Sequence, residues 1–183
     1  QFCVGCHGVN GISTNLKSVL SGSQKVFPIL ANQQSQYITN QIADFISGKR
    51  FIDLSAATED PEAANMVRYQ KANLDPSAPP SGMSNAQVIS VISEVSNYFN
   101  SQSAPTAAMD ANGLMALQTS MGLTANAPNG MSIFTTGKRS NGTSVAATCA
   151  NCHGLAAAGN GGVPRQGGQV ASRIFEALND FLP

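Results

Sequence analysis

The chain holds four cysteines and two histidines, and all six fall in two short runs. The runs are Cys3-Val4-Gly5-Cys6-His7 and Cys149-Ala150-Asn151-Cys152-His153. Each reads C-x-x-C-H, the spacing that attaches a c-type haem. Two thiols three positions apart on a helical turn can each reach a vinyl group of one porphyrin and form a thioether. The next residue then sets an imidazole beneath the iron. The pattern predicts two covalently bound c-type haems (iron), with thioethers at Cys3, Cys6, Cys149 and Cys152 and axial ligands at His7 and His153.

Other chemistry fits these residues less well. A thioredoxin-like redox pair uses C-x-x-C but needs neither the adjacent histidine nor a second copy. A structural zinc site takes four cysteines. Here most of the chain separates the two pairs, and zinc gives no reason for the His-Gly that follows each. Disulfides within each pair would close very small rings that add little. With both histidines committed to iron, no Ser/His/Asp set remains, and no glycine-rich phosphate loop stands between a strand and a helix. No catalytic residue is therefore expected.

Composition excludes several classes of partner. The 183 residues carry ten Lys plus Arg and ten Asp plus Glu, for a formal net charge of zero. Charged residues make up 11% of the chain, against roughly 25% in ordinary soluble domains. No basic face predicts nucleic-acid binding. The apolar runs are too short and interrupted for a membrane span, so membrane association is expected only through a partner. A haem motif stands almost at the first residue, so a signal peptide is expected to have been removed or not included.

The elements that must position these residues repeat. After the first motif come Pro28-Ile29-Leu30-Ala31-Asn32-Gln33, then Ile38, Ile42 and Asp44-Phe45-Ile46. After the second come Pro164-Arg165-Gln166-Gly167-Gly168-Gln169, then Ile174, Leu178 and Asp180-Phe181-Leu182. These stretches are offset by 136 residues, whereas the histidines are offset by 146. The first copy thus carries ten extra residues before its proline, in the Ser-, Gly- and Asn-rich stretch 10–26, which reads as a surface loop. Helical spacing puts Ile38, Ile42 and Phe45 on one face, and Val170, Ile174 and Leu178 on the matching one. A further helix runs from Ser84 to Phe99, with an apolar stripe of Val88, Val91, Ile92, Val95 and Phe99. Ser84 with Gln87 forms a capping box, and Met83 with Val88 forms a hydrophobic staple. Glu59, Asp60 and Glu62 around Pro61 read as a solvated loop. Residues 103–129 read as a connector with a short helix near 114–121.

These marks resemble the di-haem class I cytochromes of the bacterial periplasmic cytochrome c-four type. The resemblance rests on C-x-x-C-H-G at Cys3–Gly8 and Cys149–Gly154 and on the Pro-x-x-x-x-Gln stretches Pro28–Gln33 and Pro164–Gln169. It also rests on Gly48-Lys49-Arg50, the helix from Ser84, and the Phe-Thr-Thr-Gly run at 134–137. It implies an all-α fold of two tandem class I cytochrome c domains, each a small helical fold wrapped around one haem. The expected division is 1–102, a connector at 103–129, and 130–183. Class I domains place a helix before the haem motif, and only two residues precede Cys3. The second unit ends before a methionine loop and closing helix, so it is expected to be incomplete at its C-terminal end.

The resemblance also implies a methionine as sixth iron ligand in the first unit. Met66 is the candidate by position, since the family's ligand usually lies several residues before the closing helix. Met83 is the alternative, although the staple already gives it a packing role; Met66 could equally fill a gap in the core. No methionine follows His153, and Met121 and Met131 are expected to pack. At Pro28 and Pro164 the resemblance implies a second-shell role, a backbone carbonyl that takes the histidine's ring N–H; turn-forming prolines are the plainer alternative. The function implied is single-electron transfer through His/Met-ligated haems, not an enzyme's chemistry. The partners would be redox proteins such as a membrane donor complex and a terminal oxidase or reductase, in the periplasm or another extracytoplasmic compartment. The alternatives are a haem-bearing part of a larger respiratory complex, or a di-haem redox enzyme.

Overall fold

A computed structural model of the chain describes residues 2–12, 27–49, 61–103, 127–144 and 148–169, together with Ile174 and Leu178. The chain divides into two compact units, Gln1–Ser103 and Ala104–Pro183. The stretch 103–129, set apart in the sequence as a connector, falls almost wholly within the second unit. The described residues are helical and hold no strand, only the isolated bridges Lys138–Ser144 and Asn160–Val163. The all-α expectation holds.

The first unit is built from α1 (Phe2–His7), α2 (Ser35–Ser47), α3 (Pro61–Leu74) and α4 (Asn85–Ser101). Helix α2 buries Ile38, Ile42 and Phe45, the face that the spacing predicts. It ends at Gly48, whose φ of 75° lets its N–H turn back to the Phe45 carbonyl. Helix α4 buries Val88, Ile92 and Phe99 against Ile38 and Ile42. Partly buried Cys3, Leu30, Leu74 and Met83 pack onto this cluster. One polar contact crosses between the helices: Thr39 Oγ1 and Ser96 Oγ lie 3.0 Å apart, with Ser96 buried.

The start of α4 carries the expected capping box. The Gln87 N–H donates to Ser84 Oγ at 3.3 Å, and the Ser84 N–H donates to Gln87 Oε1 at 2.8 Å. Ser84→Ala leaves one end-of-helix donor without its protein acceptor, at a cost of about 1 kcal/mol. Chemical denaturation of the variant should show that loss; an unchanged midpoint would mean that water replaces the cap without cost.

Helix α3 corrects the reading of Pro61 and Glu62 as part of a solvated loop, since both fall in its first turn; Glu59 and Asp60 lie outside the described residues. Pro61 opens it, a position where the missing N–H costs nothing. Ala64 and Val67 are buried on its inner face, and it packs against both α2 and α4.

The second unit shows α5 (Ala127–Thr136) and α6 (Ala150–His153), which pack together. Helix α5 lies ahead of the second motif. It starts three residues before the expected boundary at 130. Thr135 and Thr136 turn their hydroxyls back onto the Met131 and Ser132 carbonyls, and Gly137 closes the helix at φ 71°. Met131, expected to pack, is instead 70% exposed. The loop read at 10–26 lies mostly outside the described residues. The short helix read near 114–121, with Met121, lies wholly outside them. So does the helix read after Gln169, apart from Ile174 and Leu178, both helical.

Candidate haem-attachment sites

The same small device recurs in each unit. In the first, α1 ends on His7, and the Gly8 N–H reaches back to the Val4 carbonyl at 3.0 Å. In the second, α6 ends on His153, and the Gly154 N–H reaches the Ala150 carbonyl at 2.8 Å. Both glycines sit at φ 75°. A Cβ at Gly8 would stand 2.5 Å from the Ile12 carbonyl oxygen, so that turn has no room for a side chain.

Each chain then crosses under its own histidine. His7 Nδ1 lies 2.9 Å from the Pro28 carbonyl oxygen, and His153 Nδ1 lies 2.9 Å from that of Pro164. The Gly11 carbonyl accepts from the Leu30 and Ala31 N–H groups at 2.8 and 3.1 Å. The Ala157 carbonyl accepts from Gln166 and Gly167 at 2.9 and 2.8 Å. Asn32 and Gly168, matched by the 136 offset, both have positive φ, 54° and 78°. The ten additional residues of the first copy thus lie between two anchors that coincide in both units. The pairing of Gly11 with Ala157, and of their carbonyls with the proline loops, was not read from the sequence. The shared 146 offset was the signal that could have found it.

A carbonyl oxygen takes only a donated hydrogen, so each histidine carries its proton on Nδ1 and its lone pair on Nε2. That is the tautomer an iron ligand needs, and the carbonyl raises the ring's basicity. His7 is 8% exposed, with the Phe27 ring edge-on at 6.0 Å. His153 is half-buried. The thiols Cys3, Cys6 and Cys149 are half-buried and Cys152 is exposed, with no disulfide among them. Burial pushes the Cys3 thiol above its ordinary value, the reverse of what an activated nucleophilic thiolate requires. Among the described residues no three His, Cys, Asp or Glu side chains converge as a metal cluster. Two thiols a turn apart followed by an imidazole with an Nε2 lone pair do fit a c-type haem in each unit.

Helix α3 carries Tyr69, Met66 and Gln70. Burial and the nearby Cys3 sulfur both raise the Tyr69 hydroxyl. One turn before Gln70, on the same helix, stands half-buried Met66; the Gln70 Oε1 is buried without a hydrogen-bond partner. Met83 lies instead in the turn between α3 and α4. There its N–H bonds to the Pro80 carbonyl at 3.0 Å and its half-buried side chain packs on the same cluster as Cys3.

No protein-family model matches the chain, and no curated protein sequence matches it. Solved structures of similar fold include two cytochromes c4. The cytochrome c4 structure of Acidithiobacillus ferrooxidans superposes with a TM-score of 0.58 at 22% identity, covering 98% of this chain and 80% of that one. Reduced recombinant cytochrome c4 from Pseudomonas stutzeri gives a TM-score of 0.53 at 24% identity, covering 98% and 74%. The chain has the helical fold of these structures across nearly its whole length.

Proposed function

We propose that the chain is a di-haem c-type cytochrome that passes single electrons between redox partners and is not an enzyme. The observation that carries this is the duplicated C-x-x-C-H turn, with each imidazole's Nδ1 committed to a proline carbonyl. Cys3, Cys6, Cys149 and Cys152 would hold the porphyrins through thioether bonds. His7 and His153 ligate iron through Nε2, and Pro28 and Pro164 hold those rings in register. Haem supplies iron that cycles between ferric and ferrous states by one electron. The protein's part is to keep the rings fixed, so that little reorganises when the charge changes.

The first unit's sixth ligand is Met66 or Met83, both half-buried. The Acidithiobacillus ferrooxidans cytochrome c4 structure supports a complex-induced tuning of electron transfer, and a similar encounter is proposed here. Val4 and Val9 are exposed beside the first motif, with Tyr98 bonded to the Val9 carbonyl; Leu155 stands exposed beside the second. With zero net charge, such contacts would rely on short-range apolar fit more than long-range steering. No helix among the described residues is long and apolar enough to cross a membrane. Because c-type haem is attached outside the cytoplasm, the proposed location is the periplasm or an equivalent compartment, with a membrane donor complex and a terminal oxidase or reductase as the proposed partners.

Visible and near-infrared spectra of the protein, oxidised and reduced, with and without carbon monoxide, test the reading. Two haems per chain are expected, with a methionine-to-iron band that is lost in one of Met66→Leu and Met83→Leu. A first haem that lacks this band and binds carbon monoxide would mean an open iron and an enzyme.

A further inference from the structure

The loop that brings Pro164 under His153 is drawn tight around one glycine. The Pro164 carbonyl lies eleven residues beyond His153, whereas twenty-one separate His7 from Pro28. On the shorter path Gly159 touches both ends. Its N–H donates to the His153 carbonyl at 2.9 Å. A Cβ on it would stand 2.7 Å from the Pro164 carbonyl carbon, 2.7 Å from the Arg165 nitrogen and 2.5 Å from the Val163 oxygen. Carbon atoms in contact lie about 3.5–4.0 Å apart, so a side chain here displaces backbone on one side or the other. The next residues give no slack, because Asn160 and Val163 exchange N–H···O bonds of 3.2 and 2.9 Å.

We infer that Gly159 is a positioning residue for the second iron-ligating histidine, holding the His153 backbone while leaving the Pro164 carbonyl within reach of the imidazole. The inference rests on the di-haem reading above. The Pro164 carbonyl takes the Nδ1 hydrogen at 2.9 Å, which keeps the Nε2 lone pair for iron and fixes the ring's orientation. Gly159→Ala would cost His153 one of its two tethers. If the proline strand yields by about 1 Å, the ring N–H bond leaves hydrogen-bonding range. If residue 159 backs away instead, its own bond to the His153 carbonyl is lost. Strain alone can be separated from this effect. Gly159 has φ 74° and Gly161, two residues on, has φ 55°, yet a Cβ at Gly161 meets nothing within 4 Å. Gly161→Ala therefore strains the same loop without the contact.

The experiment is nuclear magnetic resonance of the reduced full chain with both haems loaded and its histidines isotope-labelled, alongside a haem count. The chain has only two histidines, so two ring N–H signals report on the two attachment sites. They are assigned with the chain in which Cys149→Ala and Cys152→Ala remove the second attachment. Gly159→Ala should speed solvent exchange of the His153 ring proton about tenfold, as loss of one hydrogen bond implies, and leave that of His7 in place. One midpoint potential should rise, because a less basic imidazole stabilises ferric iron less. Gly161→Ala should change neither signal. Unchanged exchange at His153 in Gly159→Ala, or equal acceleration in Gly161→Ala, would overturn the inference while leaving the di-haem reading intact. If Gly159→Ala loads only one haem, Gly161→Ala decides: two haems there support the inference, and one overturns it. A parent chain with no covalent haem would overturn both.

Discussion

A chain with Cys149→Ala and Cys152→Ala should retain one covalent haem where the parent holds two, and the second unit should become open to proteolysis. On the proposed reading two thioethers and one iron–histidine bond would tie each porphyrin to its unit, so removing both thiols would take away the covalent link and leave ligation alone. The first unit has its own apolar cluster, from Ile38 to Phe99, and should keep its haem and its fold. In the second unit Ala150 is the one buried hydrophobic side chain among the described residues. A porphyrin face would add to that unit's apolar interior, and loss of a bound group that the fold is built around destabilises the folded state. Haem staining on a denaturing gel gives the count, and limited proteolysis gives the location. Retention of two covalent haems would refute the assignment of those cysteines. The reciprocal pair, Cys3→Ala with Cys6→Ala, should also halve the haem content, but the remaining helical cluster should resist protease longer.

What the sequence made visible follows from the reach of each signal. Cysteine–histidine spacing is local and chemically specific, so both attachment turns were legible without any fold. The same holds for α4, whose cap and stripe lie within its own residues, and for the buried face of α2. Helix α3 was missed because its inner face is marked by Ala64 and Val67 amid polar neighbours; packing against α2 and α4 decides it, and that is tertiary information. Met131 was misjudged for a related reason: an apolar type on a short helix says nothing about which face is covered.

The node that joins each attachment turn to its proline loop leads to the second large effect, Gly11→Ala. Gly11 has φ 71°, where an added Cβ costs about 1–2 kcal/mol in backbone strain alone. That Cβ would also stand 2.7 Å from the Phe99 ring and 2.8 Å from the Ala31 nitrogen. Phe99 is 2% exposed and its carbonyl anchors Asn32, so neither neighbour can retreat easily. Overpacking of this kind costs about 1–3 kcal/mol. The two contributions together reach about 2–5 kcal/mol, a large part of a domain's roughly 5–15 kcal/mol. Denaturant titration should show that loss, with the Pro28 carbonyl drawn off His7 and the first haem's methionine-to-iron band weakened before the second haem changes. The second unit provides the internal control. Ala157 holds the equivalent place at φ 52° and already carries a Cβ. Ala157→Gly should therefore cost nothing and gain up to about 1 kcal/mol, because relief of strain slightly exceeds the added freedom of the unfolded chain. If Gly11→Ala proved as harmless as Ala157→Gly, the close approach of α4 to the first attachment turn would be wrong. If both variants were damaging, the carbonyl node would depend on something other than side-chain space.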